Sequence, residues 1–387
     1  MLPEYRIAAG FLPLTDSMLL VIARERGFAG AEGVELTLIK ESSWASIRDR
    51  VAVGHFDVAH MLAPMPIAAT LGLTPIAVPM IAPMVLGLGG NAVTVSRALW
   101  GRMVAAGAPA DLNPKAVGQA LARVVDGTEA KLRFAVVHPH SGHNYELRYW
   151  LAASGINPDR NVEIVVLPPP LMPDAIRTGG IDGYCVGEPW NSVAVDSGSG
   201  QIATVKALIW PRSPEKVLGV TESWAVYNPE ALSALLRALH FASEWCRDTA
   251  NHREIATLLS RPEYLGLPAQ LIARALSGEL ATGPGATVNV PEFFEPHAHD
   301  ATLPHVSHGL WFYSQMVRWG HVRHTPENAD LARASFRPDL YRKAIGPLVG
   351  SVLHNGTGAM AASSFFDGQG FDPDDLPGYI ASQRPYA

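Results

Sequence analysis

Along the first half of the chain, apolar and polar positions alternate between two periods. Ser17 to Arg26 carries apolar residues at helical spacing, with Asp16 as candidate N-cap and Gly27 as the stop. Val34 to Ile39 reads as a strand, Ser43 to Val53 as a second helix, and Phe56 to Met61 as a second strand. The cycle returns with a strand at Arg133 to Val137, a loop, a helix at Asn144 to Ser154 and a strand at Val162 to Leu167. Strands alternating with helices predict βαβ units and mostly parallel sheets.

Helix, glycine and strand recur as Val51 to Asp57 and as Ile176 to Asp182, each ending in an Asp at the start of an apolar strand. This echo predicts two related lobes, although any α/β chain produces some such echoes. The second half is more helical. Pro229 to Thr249 is a long amphipathic helix, and Arg253 to Ser260, Pro268 to Leu276 and Val306 to Trp319 are three more. Asn289 to Asp300 reads as loop, and the tail from Ser363, rich in Gly, Pro and Asp, as a surface wrap or a partly mobile end. The most apolar stretch, Phe56 to Gly90, holds Pro64, Pro66, Pro75, Pro79 and Pro83. Those prolines would interrupt a spanning helix, so buried strands and short turns are expected.

A length of 387 residues suits two lobes of roughly 100–200 residues each. With 48% apolar and 17% charged residues the chain is not a disordered one. A net charge of −6 argues against gripping a nucleic acid backbone, but leaves room for a local cationic pocket. Cys185 and Cys246 lie inside regular segments with no metal-ligand spacing, which favours two buried thiols over a disulfide. No basic and apolar leader precedes Tyr5, so the expectation is a cytoplasmic protein or one without its leader.

Enzyme signatures are missing: there is no GxSxG, P-loop or HExxH, and Gly87-Leu88-Gly89-Gly90-Asn91 lacks the dinucleotide spacing. The expectation is a binding protein, with no cofactor and no metal. His305, His308, His321 and His324 form no ligand-like constellation. What remains is a scatter of single donors at loop positions after strands, where open α/β sheets bind ligands. They are Trp44, Asn91, His143 ahead of a helix, Gly187 and Lys216. Spacing alone leaves each with a structural alternative: core for Trp44, turn for Asn91, helix cap for His143, solvated charge for Lys216.

Several ordered stretches carry a resemblance. They are Gly10-Phe11-Leu12-Pro13-Leu14-Thr15-Asp16, Ser43-Trp44, Ala63-Pro64-Met65-Pro66, Arg148-Tyr149-Trp150-Leu151-Ala152, Val186-Gly187-Glu188-Pro189-Trp190-Asn191, Pro214-Glu215-Lys216, Ser307 to Phe312, and Arg318-Trp319-Gly320. Over roughly residues 5–325 the chain resembles the nitrate- and bicarbonate-binding proteins of ABC transporters, the NrtA/CmpA group. The resemblance implies the class II periplasmic-binding-protein fold, two α/β lobes with a hinge. It divides the chain into lobe 1 (1–95), lobe 2 (96–215), a return to lobe 1 with C-terminal helices (216–362) and a tail (363–387). It also implies an anion site on Trp44, Asn91, His143, Gly187 and Lys216. Asn91 is a departure, since the family amide there is a Gln. The bicarbonate binders resemble one another in a Glu at the position of Lys216, and the nitrate binders in a Lys. A weakly basic anion with no proton to donate needs donors and positive charge, so Lys216 points to nitrate or nitrite. The missing leader makes the chain look most like the cytoplasmic nitrate/nitrite sensor NasS. That likeness implies an RNA-binding partner, an ANTAR-type antiterminator similar to NasT, released when the anion binds. The alternative is the substrate-binding subunit of a nitrate ABC transporter. An enzyme on the same fold, such as the pyrimidine-forming enzymes of thiamine synthesis, resembles a Cys-rich motif that is missing here.

Overall fold

The computed structural model describes residues 4–349 and 365–383. Eleven strands build the two main sheets and the passage between them. They are β1 (Tyr5–Phe11), β2 (Val34–Lys40), β3 (Val58–Leu62), β4 (Met80–Val85), β5 (Leu88–Gly89), β6 (Asn91–Ser96), β7 (Leu132–Val136), β8 (Val162–Val166), β9 (Gly183–Gly187), β10 (Gly200–Val205) and β11 (Lys216–Thr221). One five-stranded sheet has the order β2-β1-β3-β11-β4, the other β10-β6-β9-β7-β8. Read from opposite ends, the two are the same design. In each, four strands run in one direction and a single strand, β11 in the first sheet and β6 in the second, runs against them. The fold is thus two α/β lobes, as expected.

The echo of helix, glycine and strand has a shared physical role. Gly54 and Gly179 end their helices at φ +75° and +74°, a conformation that glycine adopts without strain. The Asp after each glycine then clamps the neighbouring strand. Asp57 donates its N–H to Ala8 O and accepts the Ala8 N–H on Oδ2 at 2.8 Å. Asp182 does the same with Arg133, also at 2.8 Å. Both clamps satisfy backbone groups at the starts of parallel strands, which the ladder leaves open there.

Two differences from the sequence reading have plain causes. Pro64–Thr70 is a helix, where buried strands and turns were expected. Its prolines sit in the first turn, where no N–H is needed for the helical ladder. Asp16 is not the N-cap of the first helix. It lies in a turn of 3₁₀ helix, Thr15–Ser17, and its buried carboxylate bonds elsewhere. The long helix (Pro229–Arg247) and the helices His252–Leu259, Ala269–Ser277 and Val306–Arg318 follow expectation within a few residues. Helices Pro326–Ser335 and Pro338–Val349, whose bounds were not anticipated, lie in the stretch expected to carry C-terminal helices. Cys185 and Cys246 are buried and unpaired.

The passages between the lobes run side by side. Leu86 N–H reaches Lys216 O at 2.8 Å, Gly89 N–H reaches Ser213 O at 3.0 Å, and Gly90 N–H reaches Phe293 O at 2.7 Å. Gly89 is held at φ +78°, and an added Cβ would lie 2.2 Å from Phe293 O, so only glycine fits. Helix Val306–Arg318 packs on helix Pro64–Thr70 of the first lobe and on helix Gly142–Ala153 of the second. Trp311 from that helix sits 4.1 Å, centre to centre, from Trp210 and stacks on Phe365. The tail, over its described residues, therefore covers an aromatic core and adds a helix, Leu376–Ser382. Residues 363–364 and 384–387 of the expected tail lie outside the described residues.

Because the clamps tie strand starts to neighbouring strands, Asp57→Ala and Asp182→Ala should each destabilise the protein by about 1–3 kcal/mol, the cost of stranding a backbone donor. Asp57→Ala should cost more, because Asp57 Oδ1 also accepts from Trp224 Nε1 at 2.9 Å. Urea unfolding midpoints measure this directly; unchanged midpoints would reject the clamp role.

Candidate functional site

The five residues picked out from sequence come together between the lobes. Ser43 caps the helix Trp44–Ala52 by accepting from Ser46 N, which leaves Trp44 at its first position, 1% exposed. Asn91 opens β6, directly opposite Gly187, the last residue of β9. A Cβ on Gly187 would lie 3.3 Å from Asn91 Oδ1 and 3.4 Å from Asp16 Oδ2, so glycine allows both lobes to close on that point. His143 is in the first turn of helix Gly142–Ala153 and is not its cap. Ser141 caps that helix, accepting from Asn144 N at 3.0 Å. Lys216, far from being a solvated charge, is completely buried at the start of β11.

Lys216 is the hub. Its Nζ donates to Asp16 Oδ2 at 2.8 Å and to Glu215 Oε1 at 3.3 Å, and it lies 5.4 Å from the Trp44 ring centre. Asp16 Oδ1 in turn meets His60 Nε2 at 2.9 Å. His60 Nδ1 faces the Leu12 N–H at 3.4 Å, which assigns the neutral ring's proton to Nε2. On the side of the second lobe, Lys206 Nζ sits between Glu215 Oε2 at 2.7 Å and Glu146 Oε1 at 2.6 Å. His143 Nδ1 is 3.1 Å from Glu215 Oε1, but not in hydrogen-bonding geometry.

Burial sets the protonation of this network. Burial alone would push the Asp16 carboxyl up, but Lys216 and His60 override it and hold it well below the usual carboxylate range. Glu215 is likewise pulled down against burial by His143, Lys206 and Lys216. The two lysines are the working partners near neutral pH, because burial itself drives His143 down to about 3 despite Glu215. Burial lowers His60 too, against the pull of Asp16. Glu146 goes the other way: burial, helped by Glu215, raises it against Lys206.

Polar atoms of the expected donors stand without partners among the described residues. These are Trp44 Nε1, both ends of the Asn91 amide and both ring nitrogens of His143. Orphaned buried groups of this kind cost free energy and are uncommon in folded proteins. They lie about the network of the buried Lys216 ammonium, and the N–H groups among them can donate to a small anion. No group of His, Cys, Asp and Glu able to hold a metal ion occurs among the described residues. Sequence reasoning missed Asp16 as a site residue, and with it His60, Glu146, Lys206 and Glu215. His60 had a visible signal, a titratable residue in the apolar run Val58-Ala59-His60-Met61-Leu62. The others become partners only through the fold.

Comparison with known proteins narrows the chemistry. Residues 2–260 match the model of the NMT1-like family. The nitrate/nitrite binding protein NrtA of Nostoc is 32% identical over 97% of this chain and 84% of its own length. The nitrate import ATP-binding protein NrtC of Synechocystis is 35% identical over 98% of this chain, which spans 55% of that longer protein. The crystal structure of the periplasmic nitrate-binding protein NrtA from Synechocystis superposes with a TM-score of 0.89 at 28% identity, covering 99% of this chain and all of that one. The alkanesulfonate-binding protein SsuA from Xanthomonas axonopodis shares the fold at a TM-score of 0.55 and 14% identity, over 81% of this chain and 93% of its own.

The ion network makes a structural prediction. Lys206→Met leaves Glu215 buried with one fewer cation and should cost about 3–5 kcal/mol. Glu146→Gln, which replaces a carboxyl that burial already pushes towards its neutral form, should cost much less. Equal losses in urea unfolding would contradict the protonation pattern.

Proposed function

Since the chain belongs to the NMT1-like family and is kin to the nitrate/nitrite-binding proteins, we propose that it is a solute-binding protein whose two lobes close on nitrate or nitrite. One observation carries this reading. Trp44, Asn91 and His143 carry unpartnered polar atoms, and they lie around the network that the fully buried Lys216 forms with Asp16 and Glu215 at the meeting of the lobes. Nitrate offers acceptors on three oxygens and one negative charge, which suits an ammonium, an indole N–H, an amide and an imidazole. The residues we assign to the site are Trp44, Asn91, His143, Gly187 and Lys216. They come from both lobes, so one small anion touching them favours the closed arrangement over an open one.

Two contacts support closure as the bound form. Thr15 N–H donates to Glu188 O at 2.9 Å, and Trp190 Nε1 donates to Pro13 O at 3.1 Å. Both join the first lobe to the second. The role we favour is that of the substrate-binding component of a nitrate transport system, in line with the named relatives. No helix among the described residues is long and apolar enough to cross a membrane. The finer reading, a cytoplasmic sensor that releases an ANTAR-type antiterminator, rests on resemblance alone. It shares the same anion switch, and size-exclusion chromatography with such a partner, with and without millimolar nitrate, separates the two roles.

Calorimetric titration with nitrate, nitrite, bicarbonate and sulfate tests the ligand. Nitrate or nitrite should bind with the others far weaker; binding of bicarbonate alone would overturn the reading. Lys216→Glu should weaken nitrate binding at least roughly a hundredfold, through loss of a charge-assisted bond and added repulsion. A variant that folds and binds nitrate as the parent does would remove Lys216 from the site.

A further inference from the structure

The buried network between the lobes carries no spare positive charge. Lys206 and Lys216 face Asp16, Glu215 and Glu146, at distances from 2.6 to 3.3 Å. With Glu146 protonated the lysines and carboxylates balance; with Glu146 ionised the cluster is negative. A monoanion set against Lys216 therefore meets an ammonium already matched by Asp16, in surroundings too dry to screen the excess charge. One group can make up the difference. His143 is completely buried, its ring nitrogens have no hydrogen-bond partner, and Nδ1 already lies 3.1 Å from Glu215 Oε1. As an imidazolium it has an N–H for Glu215 and another for an anion. His60 is less suited, because its Nδ1 faces the Leu12 N–H.

We propose that Asp16 sets the charge of this site: by matching Lys216 before the solute arrives, it makes a monoanion bind together with one proton, which His143 takes up. Asp16 acts here as a positioning residue, through Lys216 and through the charge balance. The proposal rests on the anion-binding reading above and adds to it the proton and the residue that demands it. The groups that face His143 are Glu215 and Lys216 at the start of β11, Lys206 from the second lobe and Asp16 from the first. Glu215 and Asp16 favour the extra proton, and the two lysines oppose it. An anion at Lys216 tips that balance. The stoichiometry is simple: one anion and one proton enter, and none leaves.

The sign of the pH dependence follows. Without an anion, burial in the closed arrangement keeps His143 uncharged at neutral pH. The bound anion raises its affinity for the proton. Between those two limits the complex holds one more proton than the free protein, so anion affinity rises about tenfold for each unit that pH falls, and levels off below the lower limit. Above neutrality, loss of the Glu146 proton would add to the fall.

The experiment is calorimetric titration of the full chain with sodium nitrate, in phosphate and in Tris, whose ionisation heats differ. The expected result is uptake of about one proton per nitrate near neutral pH. Asp16→Asn should take up close to none, with a nearly flat pH profile and tighter binding at alkaline pH. A purely structural loss would weaken binding and leave the proton count unchanged. Should Asp16→Asn fail to fold, His143→Gln supplies the second arm: a donor remains but cannot gain charge, so binding weakens and loses its pH dependence. Nitrate heat with no buffer dependence in the parent protein overturns the proposal and leaves the nitrate reading standing. No nitrate heat at any pH overturns both.

Discussion

The ion pair between Lys216 and Asp16 is the contact on which the space between the lobes depends. It joins residues two hundred positions apart, both almost wholly buried, at 2.8 Å. A buried pair of this kind contributes little net stability, because desolvation offsets the attraction. Losing one partner is another matter, since it leaves the other charge stranded. The pair thus constrains what can be neighbours. Glu215 and His60 take positions that complete its coordination, Trp44 lays its ring beside the ammonium, and Gly187 keeps Cβ out of the way. A polar network that fixes geometry in this way leaves a small set of donors aimed at one place.

The repeated design of the lobes lets the two halves meet closely. Each lobe has the same strand order and the same Asp clamp, so each ends its parallel strands in loops at matching positions. Ligands in such sheets lie beyond the carboxyl ends of the strands. Facing two equivalent edges places Trp44 and Asp16 from one lobe against Asn91, His143 and Gly187 from the other. The paired passages at Leu86–Gly90 and Ser213–Lys216 hold these edges in register without adding bulk between them.

Much of this was legible in the sequence, and what was not has a common cause. Strands such as Val34–Lys40 and the helix Pro229–Arg247 carry their signal in local periodicity, which survives whatever surrounds them. The helix Pro64–Thr70 was hidden because proline was counted as a breaker, whereas its place in the first turn makes it compatible. The site divides along the same line. Resemblance picked out Trp44, Asn91, His143, Gly187 and Lys216 as a set, and the fold places them around the network of Lys216, Asp16 and Glu215. Asp16 and His143 were each given a capping role from local pattern, since a cap needs only neighbours in sequence. Their partners, Lys216 and Glu215, lie beyond any local window.

The place of β11 between β3 and β4 in the first sheet also has a temporal side. All five strands of the second sheet lie within residues 91–205, so that lobe can form as soon as its own segment leaves the ribosome. The first sheet has a gap at its middle, between β3 and β4, until β11 at residues 216–221 emerges. During synthesis the first lobe must wait for the second, with the edges of β3 and β4 unpaired and open to wrong partners. Chain order therefore places Lys216, the hub of the site, on the strand that completes the first sheet.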